Sequence, residues 1–167
     1  MADASRVRRQ RVAMLVWAGF LAGCAIRSED PEPQPVAVVV SFPSLAAALQ
    51  MDFLDVRVFA GISCATLMQQ RAAGAEPVAV AQTGWQQLCN VRDGLIKVDA
   101  PVGAHALLGV AARDTNRVEY YAGCVEQTLG TGDAPLPITL SRSNDLSAAL
   151  PPTECTTFDD LCAQRCE

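Results

Sequence analysis

A chain of 167 residues, half of them apolar, has enough material for one domain that buries its own core. Its 13 basic and 18 acidic residues are unevenly placed: Arg6, Arg8, Arg9 and Arg11 crowd the first dozen positions, and beyond residue 23 only 9 bases face 17 acids. That balance excludes a nucleic-acid partner, whose phosphates demand a basic footprint.

The four arginines precede an uncharged run from Val12 to Ile26, 15 residues long and stopped by Arg27. A basic segment followed by an apolar one is the layout of a secretory signal peptide. The run falls short of the roughly 18 residues that a permanent transmembrane helix needs. At its end stands Leu21-Ala22-Gly23-Cys24. This stretch resembles the lipobox of bacterial lipoproteins: leucine, two small residues, then cysteine. The resemblance implies a diacylglyceryl group on the Cys24 sulfur, cleavage between Gly23 and Cys24, and acylation of the new amine. Several acyl chains together anchor where one binds only marginally. Residues 1–23 are thus expected to be a signal peptide and Cys24 the lipid attachment point.

Two alternatives stay open. Cys24 could be a spare thiol or a disulfide partner in an ordinary secreted protein, and Arg8-Arg9 could belong to a twin-arginine signal, although Arg11 stands where that signal wants an apolar residue. Ala25 lacks the aspartate that, in lipoproteins of the enterobacterial type, retains the protein in the inner membrane, so the resemblance implies the outer membrane. Residues 24–35 include Ser28 to Pro35, with three acids and three prolines and no periodicity. Such a segment buries no apolar surface and reads as a semi-rigid spacer.

From residue 36 to 150 the pattern alternates more than it follows a helical period. Val36 to Phe42 reads as a strand buried on both faces, while 54–58, 96–99 and 136–140 each read as a strand with one wet face. Ser44 to Met51 is ambiguous between helix and loop; Cys64 to Ala73 reads as a short helix closed by Gly74. Ala104 to Ala112 reads as a central strand, returning through Arg113 to Arg117 into a hairpin partner at 118–122, with a bulge expected at Gly123. Short strands separated by Gly and Pro indicate a small, mainly β, antiparallel β-sandwich of immunoglobulin-like or transthyretin-like type, with short helices. Asp99 to Leu107, with Pro101, Gly103 and His105, resembles the proline, glycine, aromatic turn-and-strand of transthyretin-like and collagen-adhesin B-type domains, with histidine in place of tyrosine. That resemblance bears on architecture and says little about activity.

With Cys24 set aside, Cys64, Cys89, Cys124, Cys155, Cys162 and Cys166 remain, an even number suited to three disulfides in an exported chain. The rival is a zinc site built from Cys155, Cys162 and Cys166, disfavoured because no histidine is near and paired C-x-x-C knuckles are missing. Residues 151–167 read as a cysteine-rich segment with a short helix capped by Thr157. On a helix, Cβ atoms four residues apart stand roughly 6 Å from one another, too far for a disulfide. Cys162 and Cys166 are therefore expected to find other partners, which staples the helix to the domain or to Cys155.

Chemistry is sparse. His105 is the only histidine and sits at a packing position on a strand, with no G-x-S-x-G elbow elsewhere, so no catalytic residue is assigned. Asp145, Asp159 and Asp160 lack a calcium loop and read as exposed or helix-capping carboxylates, so no metal or cofactor is expected. Phe59, Trp85, Tyr120 and Tyr121 could line a ligand surface; regular alternation puts the two tyrosines on opposite faces, so one at most belongs to the core. The expected function is a non-enzymatic interaction or structural module held at the envelope by its lipid, with an envelope protein or glycan as partner. A carbohydrate- or peptide-binding surface is the alternative, and an exported hydrolase is disfavoured.

Overall fold

The computed structural model describes residues 32–91, 93–113, 116–130, 132, 134–143 and 155–166. Cys24, the signal segment and Asp145 lie outside the described residues. In chain order the elements are β1 (Gln34–Ser41), α1 (Leu45–Leu49), β2 (Phe53–Ala60), α2 (Cys64–Ala72), β3 (Ala81–Gln82), β4 (Gln86–Gln87), a 3-10 turn (Leu88–Asn90), β5 (Leu95–Ala100), β6 (Gly103–Arg113), β7 (Val118–Leu129), β8 (Leu136–Thr139), β9 (Ser141–Arg142) and α3 (Phe158–Cys162). They build the expected mainly β sandwich of two sheets. One sheet has the order β5-β1-β8, and the other β3-β2-β6-β7-β9 with β4 also paired to β2.

Every pairing in the larger sheet is antiparallel; in the smaller one β1 runs antiparallel to β5 and parallel to β8. Between the sheets lies the main core, in which Val36, Val38 and Val40 of β1 meet Leu54, Val56 and Val58 of β2, Ile96 and Val98 of β5 and Ile138 of β8. β5 shows the cleanest period of two, with Ile96, Val98 and Ala100 buried and their neighbours exposed. β1 differs from expectation: only its even-numbered valines are fully buried, while Ala37 and Val39 are half-exposed on the outer face of the smaller sheet. Its β-branched run answers strand propensity as well as burial.

β2 departs the other way. Asp55 and Arg57 were expected on a wet face, yet Asp55 is buried, and so is Phe59 just beyond the expected strand. A second core explains this: Phe59 packs with Leu67 of α2, Ala106, Leu108 and Val110 of β6 and Ala122 of β7 on the far side of the larger sheet. α2 is the cover. Ser63 caps it by accepting from the Thr66 N–H, Leu67 is its one buried residue, and Gly74 follows at φ +72.

The expected bulge is present but displaced. Gly123 pairs in register with Gly109, whereas the register shifts where Ala111 faces Tyr121 and Ala112 faces Glu119, leaving Tyr120 as the extra residue. Gly123 serves a different purpose. The chain leaves the smaller sheet at Thr139 and enters the larger one at Ser141, and a Cβ on Gly123 would strike the Thr139 carbonyl as the strand crosses. Gly109, across the ladder, lies under Ile138 and Leu140. The two glycines form the notch that admits the crossing strand.

Three disulfides join Cys64 to Cys124, Cys89 to Cys162 and Cys155 to Cys166, with Cα separations of 5.7, 5.4 and 4.7 Å. The first ties α2 to β7. The second staples α3 to the 3-10 turn, and the third closes the chain around α3. Cys162 and Cys166 do not pair with each other, although α3 stops at Cys162 and Cys166 stands beyond its end, after Gln164 at φ 54. Three cross-links point to folding in an oxidising, non-cytoplasmic compartment. Among the described residues no helix is long and apolar enough to cross a membrane.

Candidate functional site

The densest polar constellation lies on the outer side of the larger sheet. Arg57 of β2 reaches Asp55 Oδ2 at 2.8 Å, Glu76 Oε1 at 2.8 Å and Glu119 Oε1 at 2.9 Å. Arg71 of α2 takes the second oxygens of Glu76 and Glu119. Two guanidiniums and two glutamates thus alternate in a closed ring, with Asp55 attached beneath it. Asp55, with a side chain only 3 % exposed, also accepts from the Thr83 hydroxyl at 2.9 Å. A buried carboxylate this well paired is stable where an isolated one is not. Burial by itself pushes the Arg57 pKa down, but the hydrogen bonds to Asp55 and Glu76 and the charges of Glu119 and Glu76 outweigh it and raise it.

The bulge at Tyr120 helps to assemble the ring. In a regular strand Glu119 and Tyr121 share a face. With Tyr120 inserted, Glu119 turns outward to the arginines while Tyr121 packs inward, edge-on to Phe42 at 6.0 Å. Tyr120 packs half-buried against the same core. Both tyrosines therefore touch the inter-sheet core, which corrects the expectation that one at most does so.

Beside the ring opens a cleft of about 360 Å3 lined by Asp55, Arg57, Glu76, Val78, Gln82 and Trp85. Trp85 is half-buried, with the Arg57 guanidinium 5.5 Å from its ring centroid. Arg117 stacks 3.8 Å from the Phe53 centroid and 5.7 Å from that of Trp85, a cation held by aromatic faces. The charges facing the cleft are engaged with one another. What the cleft offers a ligand is the Trp85 surface, the exposed Gln82 and the 92 %-exposed Val78, a set suited to stacking and amide hydrogen bonds.

The other residues singled out in the sequence have different places. Phe59 is buried under α2. His105 is 6 % exposed, and its Nε2 lies 2.8 Å from the Pro101 carbonyl; because that oxygen only accepts, Nε2 carries the proton and the ring ties down the turn between β5 and β6. Its Nδ1 is buried with no partner among the described residues. A shallow cleft of about 620 Å3 beside it includes Ser63 and Glu126, but Ser63 caps α2 and Glu126 accepts from the Cys64 N–H at 2.8 Å. Cys155, Cys162 and Cys166, the alternative zinc ligands, are each held in a disulfide. Asp159 and Asp160 occupy the first turn of α3, where the Asp160 N–H bonds to the Thr157 hydroxyl oxygen at 3.1 Å.

Arg71, Glu76, Glu119 and Arg117 escaped the reading of the sequence, because they come together from α2, the α2–β3 connection and the start of β7. The one local signal was Asp55 and Arg57 alternating with valines on β2, which by itself reads as a wet face. Comparison of the chain with known protein families, with curated proteins and with solved structures finds no match.

Proposed function

We propose that the chain is an exported bacterial envelope lipoprotein, anchored through acyl chains on Cys24 and favouring the outer membrane, whose β-sandwich is a non-enzymatic interaction or structural module. The observation that carries this reading is the pairing of all six cysteines of the domain among themselves. It supports an oxidising destination and leaves Cys24 to a separate role at the end of Leu21-Ala22-Gly23. The prolines and acids up to Pro33 lead straight into β1, which takes in Gln34 and Pro35 from the end of the expected spacer, so the remaining spacer would hold the sandwich off the lipid surface. The intact mass of the protein from a bacterial membrane fraction tests the anchor. A chain starting at Cys24 with added acyl mass is expected, rising by about six mass units on reduction, two for each disulfide; an unmodified chain starting at Ala25 would sink the proposal.

A second reading, a carbohydrate- or peptide-binding surface, is favoured by Trp85 beside its cleft. The sequence makes this easy to test, because removal of residues 1–23 takes away Trp17 and leaves Trp85 as the sole tryptophan. Titrating the processed chain with neutral and acidic oligosaccharides or with envelope peptides should shift its intrinsic fluorescence if the cleft is occupied. Trp85→Ala should abolish retention on the same ligand in a pull-down. Flat fluorescence across the panel leaves the cleft as the margin of a purely structural ion ring.

A further inference from the structure

We propose that the Cys89–Cys162 bond is a thiol-sensitive latch holding the C-terminal helix over an apolar cleft. The cleft, about 220 Å3, lies between α1, β1 and the 3-10 turn, with Phe42, Leu45, Leu54, Leu88, Val91 and Phe158 among its walls. Phe158 is contributed by α3 itself and packs half-buried on the main core. No residue of α3 is fully buried. The helix has five residues, far too few to persist in water once detached.

The three disulfides differ in what else holds the elements they join. α2, tied by Cys64–Cys124, is also held by Leu67 in the second core, by the ion pairs of Arg71 and by the bond from the Cys64 N–H to Glu126. Cys155–Cys166 spans only 11 residues around α3, so opening it leaves the helix tied to the sandwich through Cys162. Cys89–Cys162 is different: among the described residues it is the one disulfide between α3 and the body, and Phe158 packs on the main core beside it. Cys89 and Cys162 are half-exposed and pack on neither core; Cys64 and Cys124 are half-exposed as well but pack on the second core, and Cys155 is buried at 7 % exposure. Thiol–disulfide exchange requires such access.

The reductant is a protein dithiol. One of its thiolates attacks a sulfur of Cys89–Cys162, giving a mixed disulfide and releasing the other sulfur as a thiolate. Its second thiol then displaces the mixed disulfide. Two electrons and two protons pass to the chain, which leaves with two thiols while the reductant leaves as a disulfide. α3 then melts, Phe158 withdraws, and the walls of the cleft formed by Phe42, Leu54 and Leu88 are uncovered.

The test uses the processed full-length chain under graded dithiothreitol, with alkylation mapping and amide hydrogen exchange on the same samples. Cys89 and Cys162 should be alkylated before the other four cysteines. As they open, the Leu161 and Ala163 amides should lose about thirtyfold of their protection, the low end of what such a cross-link contributes, while β6 keeps its own. The paired C89S/C162S variant should show that loss without reductant, and C155S/C166S should retain protection at Leu161 and Ala163. Earlier alkylation of Cys64 and Cys124, or an α3 that stays protected after Cys89–Cys162 opens, would overturn the proposal. Should C89S/C162S fail to accumulate, the graded reduction of the native chain decides alone.

Discussion

Replacing Arg57 by methionine is expected to lower the stability of the domain by about 3 kcal/mol, a fall in Tm of roughly 10 °C. The substitution keeps much of the side-chain volume and removes the cation on which three carboxylates converge. Glu76 and Glu119 can turn to Arg71 and to water, but Asp55, 3 % exposed, is left with Thr83 alone. The lower end of the range for breaking a buried pair applies because the Arg57 side chain is itself 16 % exposed, so water reaches the gap. Thermal unfolding followed by circular dichroism, with disulfides intact, measures the effect. Adding Asp55→Leu should recover most of the loss, since removing both charges leaves nothing stranded. A loss below about 1 kcal/mol in the single variant would show that the ring is a solvated surface feature of little energetic weight. Alkali does not offer an easier route to the same state. A pKa raised in the folded protein contributes stability that is fully present below the unfolded value and is lost only as pH climbs beyond it, so Arg57 stays charged throughout the range in which the domain is folded.

Gly123→Ala is expected to cost about 3 kcal/mol, at the upper end for overpacking. The added methyl would meet the backbone carbonyl of Thr139, and no side-chain rotation relieves that contact. Relief requires the crossing strand to lift, and with it Ile138 and Leu140, both 1 % exposed in the main core. Gly109→Ala is the informative comparison. Its Cβ would come within 3.2 Å of Ile138 Cγ2 and Leu140 Cδ2, the ends of side chains that can shift by a few tenths of an ångström, so it should cost clearly less. Equal losses in the same unfolding experiment would mean that the crossing strand yields as readily as a side chain does.

Where local pattern carried the information, reading the sequence worked. β5 and β6 stand where alternation and an unbroken apolar run placed them, and Gly74 follows α2 where a helix closed by glycine was expected. Local pattern failed where a distant element changed what a face meets. The polar side of β2 reads as wet until α2 and the connection after it are laid over it, and Glu76 and Glu119 stand 19 and 62 residues from Arg57. The bulge was expected at Gly123, where the alternation becomes irregular, whereas the extra residue is Tyr120, and Gly123 answers to a strand arriving from the other sheet. Periodicity cannot foresee an inserted residue. For the same reason it misjudged which faces Glu119, Tyr120 and Tyr121 present.

The cysteines show the division most plainly. Their even number beyond Cys24 was a property of the chain alone. Helix spacing also pointed away from a Cys162–Cys166 bond, a pairing the structure lacks although Cys166 lies beyond the end of α3 and the spacing premise does not apply to it. Which of the remaining partners meet was decided by the fold, which brings the 3-10 turn after β4 against α3 and the start of α2 against β7. The sequence by itself determined the class of the domain, its longer strands and the motif at Cys24, because burial periodicity, turn chemistry and short signals are local. The ion ring, the notch at Gly109 and Gly123, and the cover over the apolar cleft were decided only by tertiary structure. Each joins residues far apart in the chain, and only the packed sheets settle which of them touch.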